Sequence, residues 1–505
     1  MLIPEITSEN LVTKIVRLEK ENQVLRNELL YKDEVIKFFR RQIFVSKSEK
    51  TEPTQIAEQM GLFNEAESEV TQNPSTEQQK LIHIEAHDRQ KPVRKPLSKE
   101  LPRKEVVIEL PESERCCEHD GQRLVEIGQE VTEQIDVVPA SVLVIKIIRK
   151  KYACPKCDGT IKVAALPAQP IPKSNASPGL LAYVATSKYM DHLPLYRQEQ
   201  MLARYGLELS RQTLADWMIR CGELVSPVVN ILREELISET YLQGDETRVQ
   251  VLKEDGRKPQ AQSYMWVVAR NGPKPLVFFS YEKSRSGKVP LEIFSGFKGN
   301  LQVDGYGGYN VLVSREGIIR LGCMAHIRRK FFSAAKVGNF GNVGKRALDY
   351  IQALYKIEAQ CKAMSTDNRY QYRQQMAQPI LDKLYSWIQE QMRRVPPQSV
   401  AGRALAYAYR EWGNVIHYLD DGRFHIDNNF IENLIRPFAL GRKNWMFADT
   451  EKGAEASANL YSLVISAKLN GLDPYKYLKA VFSRLPAVTT AEEITALLPD
   501  RIQLD

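Results

Sequence analysis

Hydrophobic and polar positions change period several times along this chain, and the changes divide it. Over residues 10–31 the apolar repeat is seven: Leu11, Leu18 and Leu25 fall at d, and Ile15, Asn22 and Leu29 at a. Leu at d, with a β-branched residue and one Asn at a, predicts a parallel two-stranded coiled coil whose register Asn22 fixes. Lys14 at g faces Glu19 at e of a partner, and Glu21 faces Arg26; Glu28 against Asp33, with Lys32 at d, ends the zipper near residue 31. The competing reading is one amphipathic helix packed on its own protein. The cluster Lys37, Arg40, Arg41, Lys47 and Lys50 follows, either a solvated helix face or a contact to a phosphate backbone. Residues 50–104 lose all apolar period and are rich in Glu, Gln, Ser, Thr and Pro, the composition of a linker.

Period two returns over residues 105–168 in VVIEL, LVEIGQEVTEQIDVV and VLVIKIIRKKYACP, which read as short strands. Helical spacing takes over at 177–236. Ser177-Pro178 is a start signal, Leu181, Val184, Ala185 and Lys188 keep the period, and a second helix covers about 195–205. A break at Gly206 leads to Ser210, a good N-cap, and RQTLADWMIRCGELV. Helix, glycine turn and capped helix is the outline of a helix-turn-helix, or of any two adjacent helices. In a DNA reader, Arg211, Gln212 and Thr213 at the second helix's start would meet bases or phosphates. Strand signals recur at 239–252, 263–270, 275–281, 299–306 and 317–322. Long helical patterns fill 343–365, 369–394 and 400–418, and the C-terminal stretch is helical, with Asp473-Pro474 opening a late helix.

Composition adds limits. A chain of 505 residues is too long for one core, so several domains are expected. The formal net charge of +8 and pI near 8.9 mildly favour a polyanionic partner. MLIPEITSENLV lacks a cationic start before an apolar run, so no signal peptide is expected. No uncharged apolar stretch reaches membrane length either, which points to the cytosol and no membrane partner. There the seven cysteines stay reduced and are metal ligands or core residues. Cys154-Pro155-Lys156-Cys157 is a CxxC knuckle, and Cys116-Cys117-Glu118-His119-Asp120 is its expected partner in a zinc ribbon. The pairing predicts Zn²⁺ on Cys117, Asp120, Cys154 and Cys157. His119 or Cys116 could replace Asp120, and a metal-free hairpin is the alternative.

Three acids far apart in sequence carry the candidate chemistry: Asp245 in YLQGDETRVQV, Asp304 in GNLQVDGYGGY and Glu432 in HIDNNFIENLIRPFALGRKNW. Asp245, Thr247, Val249 and Val251 share one strand face, with Glu246 on the other. Asp304 closes a strand before Gly305, Gly307 and Gly308, which allow a sharp turn and close approach by another backbone. Asp427 is the expected N-cap of a helix over 428–436. On it Asn428, Glu432 and Arg436 form one stripe, and Glu432 with Arg436 has the spacing of a surface ion pair as well. Converging carboxylates bind hard divalent cations. Two such cations a few Å apart promote attack on a phosphodiester.

The strings GDET, QVDGY, CMAHIRRKFF, DNNFIENLIRP and GRKNWMF, with FRRQIFVSKSEK, KYACPKC, SKYMDHLPLYRQE, LSRQTLADW and AKLNGLDP, resemble those of transposases of the insertion-sequence 66 family. The resemblance spans nearly the whole chain and keeps the family's order. It implies a multidomain α/β protein with a ribonuclease-H-like core, interrupted by a helical insertion between Asp304 and Glu432. The divisions expected are a coiled coil over 1–45, a linker over 46–104, a zinc-ribbon-like β domain over 105–168 and a helix-turn-helix-like domain over 169–236. The core follows at 237–337 and 425–450 around an insertion at 338–424, with a helical segment at 451–505. The resemblance assigns the DDE triad to Asp245, Asp304 and Glu432. It implies two Mg²⁺ ions (or Mn²⁺), cleavage and strand transfer at the element's terminal repeats and into target DNA, and action as a homodimer or higher multimer. Small accessory proteins and a bacterial, nucleoid-associated location are also implied.

Other residues carry two readings each. Cys323-Met324-Ala325-His326 is a two-ligand hook with no second pair in view, or a core Cys beside a satisfied His. Arg328, Arg329 and Lys330 are phosphate contacts or a solvated face. Arg442, Lys443 and Trp445, after Gly441 and just beyond the catalytic helix, suit a DNA end with Trp445 stacked on a base; a buried Trp is the alternative. Two other functions fit part of the pattern: a non-catalytic DNA-binding regulator, which has no use for the acids, and a structure-selective nuclease without strand transfer.

Overall fold

The computed structural model describes residues 141–153, 161–313, 317–336 and 340–504, with scattered positions between 16 and 32. Contacts divide the chain into a unit of residues 1–71 and 144–505, which holds every described helix and strand, and a second unit of residues 72–143. The zinc-ribbon residues Cys116, Cys117, His119, Asp120, Cys154 and Cys157, the basic cluster at 37–50 and the linker lie outside the described residues. The described positions between 16 and 32 are helical, and Leu18, Leu25 and Leu29 are exposed.

Strands β1 (Lys151–Ala153) and β2 (Ile161–Val163) pair antiparallel, bracketing Cys154 and Cys157 in sequence. Of the expected strand run VLVIKIIRKKYACP, only Lys151–Ala153 is strand among the described residues. Among the described residues, 141–150 carry no strand, and Val144 is 93% exposed.

Helices α1 (Pro178–Tyr189), α2 (Leu195–Arg204), α3 (Arg211–Leu224) and α4 (Ser226–Ile237) come next. Ser177 caps α1 by accepting from Leu180 N–H, and Ser210 caps α3 by accepting from Thr213 N–H, as their positions in the sequence predict.

Strands β3 (Tyr241–Lys253), β4 (Gln262–Arg270), β5 (Leu276–Glu282), β6 (Gly299–Gln302) and β7 (Ile318–Leu321) form a sheet in the order β5-β4-β3-β6-β7. The pairings β3–β4 and β4–β5 are antiparallel; β3–β6 and β6–β7 are parallel. Short helices α5 (Lys288–Ile293) and α6 (Asn310–Val313) lie in the connections.

A helical block follows: α7 (Met324–Lys336), α8 (Gly341–Cys361), α9 (Thr366–Met376), α10 (Gln378–Met392) and α11 (Val400–Val415). It packs about its own core, with Phe331, Ile351, Leu354, Leu384, Leu405 and Ala408 fully buried. Helix α12 (Asn429–Trp445) returns to the sheet. β8 (Ala448–Thr450) then joins β3 in parallel, and α13 (Glu451–Leu469), α14 (Pro474–Arg484) and α15 (Ala491–Thr495) close the chain. α13 covers the outer strand: Ser466 and Ser462 hydroxyls accept from Val277 and Phe279 N–H at 2.9 and 2.8 Å. An edge whose donors are taken cannot template further pairing.

Candidate active site

Register brings the first two acids together. On the parallel strands β3 and β6, Gln243 stands opposite Gln302. Asp245 and Asp304 each lie two residues further on, Asp245 within β3 and Asp304 just past the end of β6, so alternation puts them on the same face of neighbouring strands, about 5 Å being the usual strand spacing. The shared face is visible in the glutamines. Gln243 Nε2 donates to Gln302 Oε1 at 2.6 Å, as does Tyr241 Oη.

The same pair fixes the third acid. Gln302 Nε2 donates to His425 O at 2.7 Å, Gln243 Nε2 to Asp427 O at 3.4 Å, and Met324 N–H to Ile426 O at 3.0 Å. The segment feeding α12 is thereby tied to two strands and to α7, and Glu432 sits in the helix's first turn. β3 has room for α12: β6 pairs with it at 241–243 and β8 at 251–253, leaving the edge between them for the helix. Arg442 Nη1 reaches across to Thr247 Oγ1 at 3.2 Å and also donates to Arg248 O.

Electrostatics register the convergence. Burial, then the charges of Glu246, Glu432 and Asp304, push the Asp245 carboxyl well above its usual range. Asp245 Oδ1 accepts its neighbour's N–H, Glu246 N, at 2.8 Å, and Asp304 Oδ1 accepts from Tyr306 N–H at 3.0 Å. The Asp304 carbonyl is held by Arg320 at 2.6 Å, and Arg320 is itself paired with Glu411 of α11 inside the protein. Arg329 donates to Glu432 Oε1.

Several expectations meet a different local structure. Glu246 faces away from Asp245's partners, with its side chain buried between Arg285 Nε and Tyr309 Oη, both at 2.6 Å. Its charge still reaches Asp245 and Asp304, so it belongs to the site's surroundings. Asp427 does not cap α12. The N-cap position is Asn428, whose side chain makes no cap bond, while Asp427 accepts from Asn429 N–H at 3.1 Å and Tyr355 Oη at 2.7 Å. The helix also does not stop at 436; it runs through Pro437 to Trp445, so Arg442, Lys443 and Trp445 belong to its last turns. At Gly305 and Gly308 an aromatic ring, not a backbone, makes the close approach: Tyr407 of α11 and Tyr306 respectively.

Among the DNA-contact candidates, Arg211, Gln212, Lys330 and Lys443 are exposed, and Thr213 is part-buried beside the Ser210 hydroxyl. Lys330 lies over the Tyr407 ring at 5.5 Å. Arg328 and Arg436 are part-buried. The Trp445 ring packs edge-on against Phe438 at 5.5 Å with the Lys188 ammonium above it, joined to the core in part. A cleft of about 260 Å³ is lined by Glu246, Thr247, Arg248, Tyr264, Arg285 and Arg442, with none of the three acids in its wall. Sequence reasoning missed Arg285, Tyr309, Arg320, Tyr407 and the two glutamines. Only the glutamines left a signal: each precedes its aspartate by two residues in the matching strings QGD and QVD.

The Cys323–His326 hook acquires a third member. Cys323 Sγ, a His326 ring nitrogen and a Glu432 carboxylate oxygen all lie within 4.8 Å of one another. Burial and the nearby Arg329 hold His326 down to about 4, so its ring is neutral at physiological pH. Burial raises the Cys323 thiol well above its usual range.

Sheet, acids and the flanking arginines fall within one stretch matched by a model of the transposase IS66 family, residues 173–456. The chain belongs to the IS66 family of transposases. A zinc-finger binding domain of transposase IS66 matches residues 114–158, an IS66 C-terminal element residues 462–499, and a "transposase C of IS166 homeodomain" model residues 33–106. Among relatives of Sinorhizobium fredii (strain NBRC 101917 / NGR234), the uncharacterized protein y4jD is 35% identical over 419 residues, 80% of this chain and 81% of the relative. The uncharacterized protein y4qI is 34% identical over 422 residues, 80% and 77% of the two chains. Family membership makes the chain a DNA transposase with nucleic acid as its partner and, through the matched zinc-finger domain, suggests Zn²⁺. Among the described residues no helix is long and apolar enough to cross a membrane.

Proposed function

We propose that the chain is a DDE transposase whose ribonuclease-H-like core uses Asp245, Asp304 and Glu432 to cut insertion-sequence ends and join them to target DNA. One observation carries the reading. Two aspartates stand two residues beyond a paired glutamine register on neighbouring parallel strands, and a glutamate from a distant helix lies near enough to raise the first of them. The sheet order, with β4 and β5 antiparallel on one side of β3 and β6 and β7 parallel on the other, suits the ribonuclease-H-like assignment.

The donor set fits hard divalent cations: carboxylate oxygens in mutual repulsion, which a cation relieves. Asp245, Asp304 and Glu432 would hold two Mg²⁺ ions, or Mn²⁺, which when bound supply activation of the attacking oxygen and neutralisation of the leaving one. The chain's own part is positioning. The Gln243–Gln302 pair holds strands and helix in register, Arg320 fixes the Asp304 turn, and Arg329 balances Glu432 until it is needed as a ligand. Arg248, Arg285 and Arg442 line the cleft on the Glu246 side of β3 and would steady the DNA backbone there. Arg211, Gln212 and Thr213 on α3, with Arg328, Lys330, Arg436 and Lys443, are further DNA contacts under this reading. Cys117, Asp120, Cys154 and Cys157 would hold zinc. The exposed Leu18, Leu25 and Leu29 suit a coiled-coil dimer.

The test is incubation with Mg²⁺ and DNA carrying the element's ends. Cleavage followed by joining is expected, and Asp304→Asn should remove both while leaving end binding within about threefold. Binding without cleavage by the parent chain would make it a regulator. Cleavage without joining would make it a nuclease. Unchanged joining by Asp304→Asn would sink the triad.

A further inference from the structure

Helix α7 begins one residue after Cys323, and His326 lies in its first turn, so an i, i+3 spacing puts both side chains on one face. Helix α12 brings Glu432 to that face. His326 Nδ1 stands 3.7 Å from Glu432 Oε1, close to the roughly 3.3–3.6 Å edge of a zinc tetrahedron built from about 2.0–2.2 Å bonds. The three donor atoms span no more than 4.8 Å. His326 Nδ1 is buried without a hydrogen-bond partner, although buried ring nitrogens are ordinarily satisfied. Behind the sulfur, Asn428 N–H donates to Cys323 Sγ at 3.4 Å, an outer contact of the kind that favours thiolate.

We infer that Cys323, His326 and Glu432 form a binding site for one soft divalent transition ion, Zn²⁺ above all, separate from the candidate zinc ribbon. Sulfur and imidazole select zinc-like ions and have little affinity for magnesium, so Cys323 and His326 define this site, and Glu432, which the proposed function also gives to magnesium, is the one carboxylate the two sites share. Ion capture deprotonates the thiol, releases one proton to solvent and leaves the fourth position for water. Glu432 exchanges Arg329 for the metal. Only the position of Glu432 enters here, so the site stands whether or not Glu432 serves in cleavage.

The test is full-length protein stripped of metal, then titrated with Zn²⁺ for stoichiometry and with Co²⁺ for spectra. Cys323→Ser should bind one equivalent of zinc fewer than the parent and lose part of the near-ultraviolet thiolate-to-cobalt band. His326→Gln and Glu432→Gln keep the sulfur and replace less buried side chains, so they report even if Cys323→Ser folds poorly. Each should weaken one class of site by at least about tenfold and shift the cobalt d–d bands. Equal zinc content and unchanged spectra in the folded His326→Gln and Glu432→Gln proteins would overturn the inference. Because the readout is metal bound, loss of DNA cleavage has no bearing on it.

Discussion

Asp245 shows how one residue registers the whole site. Its folded-state carboxyl is raised by burial and by three other acids, so ionisation is disfavoured in the fold relative to the unfolded chain. Linkage gives the sign: stability from this group is full below the unfolded value near 4 and is lost as pH rises through the raised folded value. In EDTA, Asp245→Asn should therefore unfold at a higher temperature than the parent at neutral pH, with the gap closing toward pH 4. Mg²⁺ should raise the parent's unfolding temperature and leave the variant's unchanged. A parent-minus-variant stability difference in EDTA that grows in the parent's favour with rising pH would contradict the crowding of acids. Strand alternation in the sequence separates Asp245 from Glu246, and their hydrogen bonds do diverge. Alternation speaks of direction and not of distance, so it could not say that the Glu246 charge still reaches both aspartates.

Helix α12 is set by contacts at its entrance more than by its own propensity. The starting residues 425–427 hang on Gln243, Gln302 and α7. Replacing Gln302 by Leu would leave the Gly322 and His425 carbonyls without the Gln302 donor and the Tyr241 hydroxyl without its acceptor, at about 1–3 kcal/mol for each group left unpaired. Chemical denaturation should show that loss, and cleavage should fall further than stability alone explains, because Glu432 rides on the displaced helix. Sequence signals located α12 but misjudged both ends. Asp427 looks like a cap, yet its carboxylate is claimed in part by Tyr355 from the helical block. Pro437 looks like a stop, yet the helix continues, its later turns held to β3 through Arg442. At the sheet's outer strand, Ser462→Ala should cost about 1–3 kcal/mol by leaving Phe279 N–H without its acceptor. An unchanged urea midpoint would show that water replaces the hydroxyl there.

The described unit has two hydrophobic cores, one built from the sheet with helices α1, α3, α4, α12, α13 and α14 and one inside the helical block. Arg320 of β7 and Glu411 of α11 join them as an ion pair hidden from solvent, and Arg320 also holds the Asp304 carbonyl. Removing one partner of a buried pair costs about 3–5 kcal/mol. Glu411→Ala should lose that much in urea denaturation, and joining activity should drop with it; a near-neutral effect would mean the block is not coupled to the Asp304 turn. By itself the sequence placed most of the described helices and the sheet strands, since periodicity and capping are local, and it singled out the three acids those segments carry. It also carried the family resemblance. The folded arrangement alone decided that Cys323 and His326 meet Glu432, that Arg329 balances it, that Tyr407 closes over Gly305, and that Trp445 packs inward. Those contacts join residues far apart in the chain, and their existence depends on strand register and helix packing that no local pattern encodes.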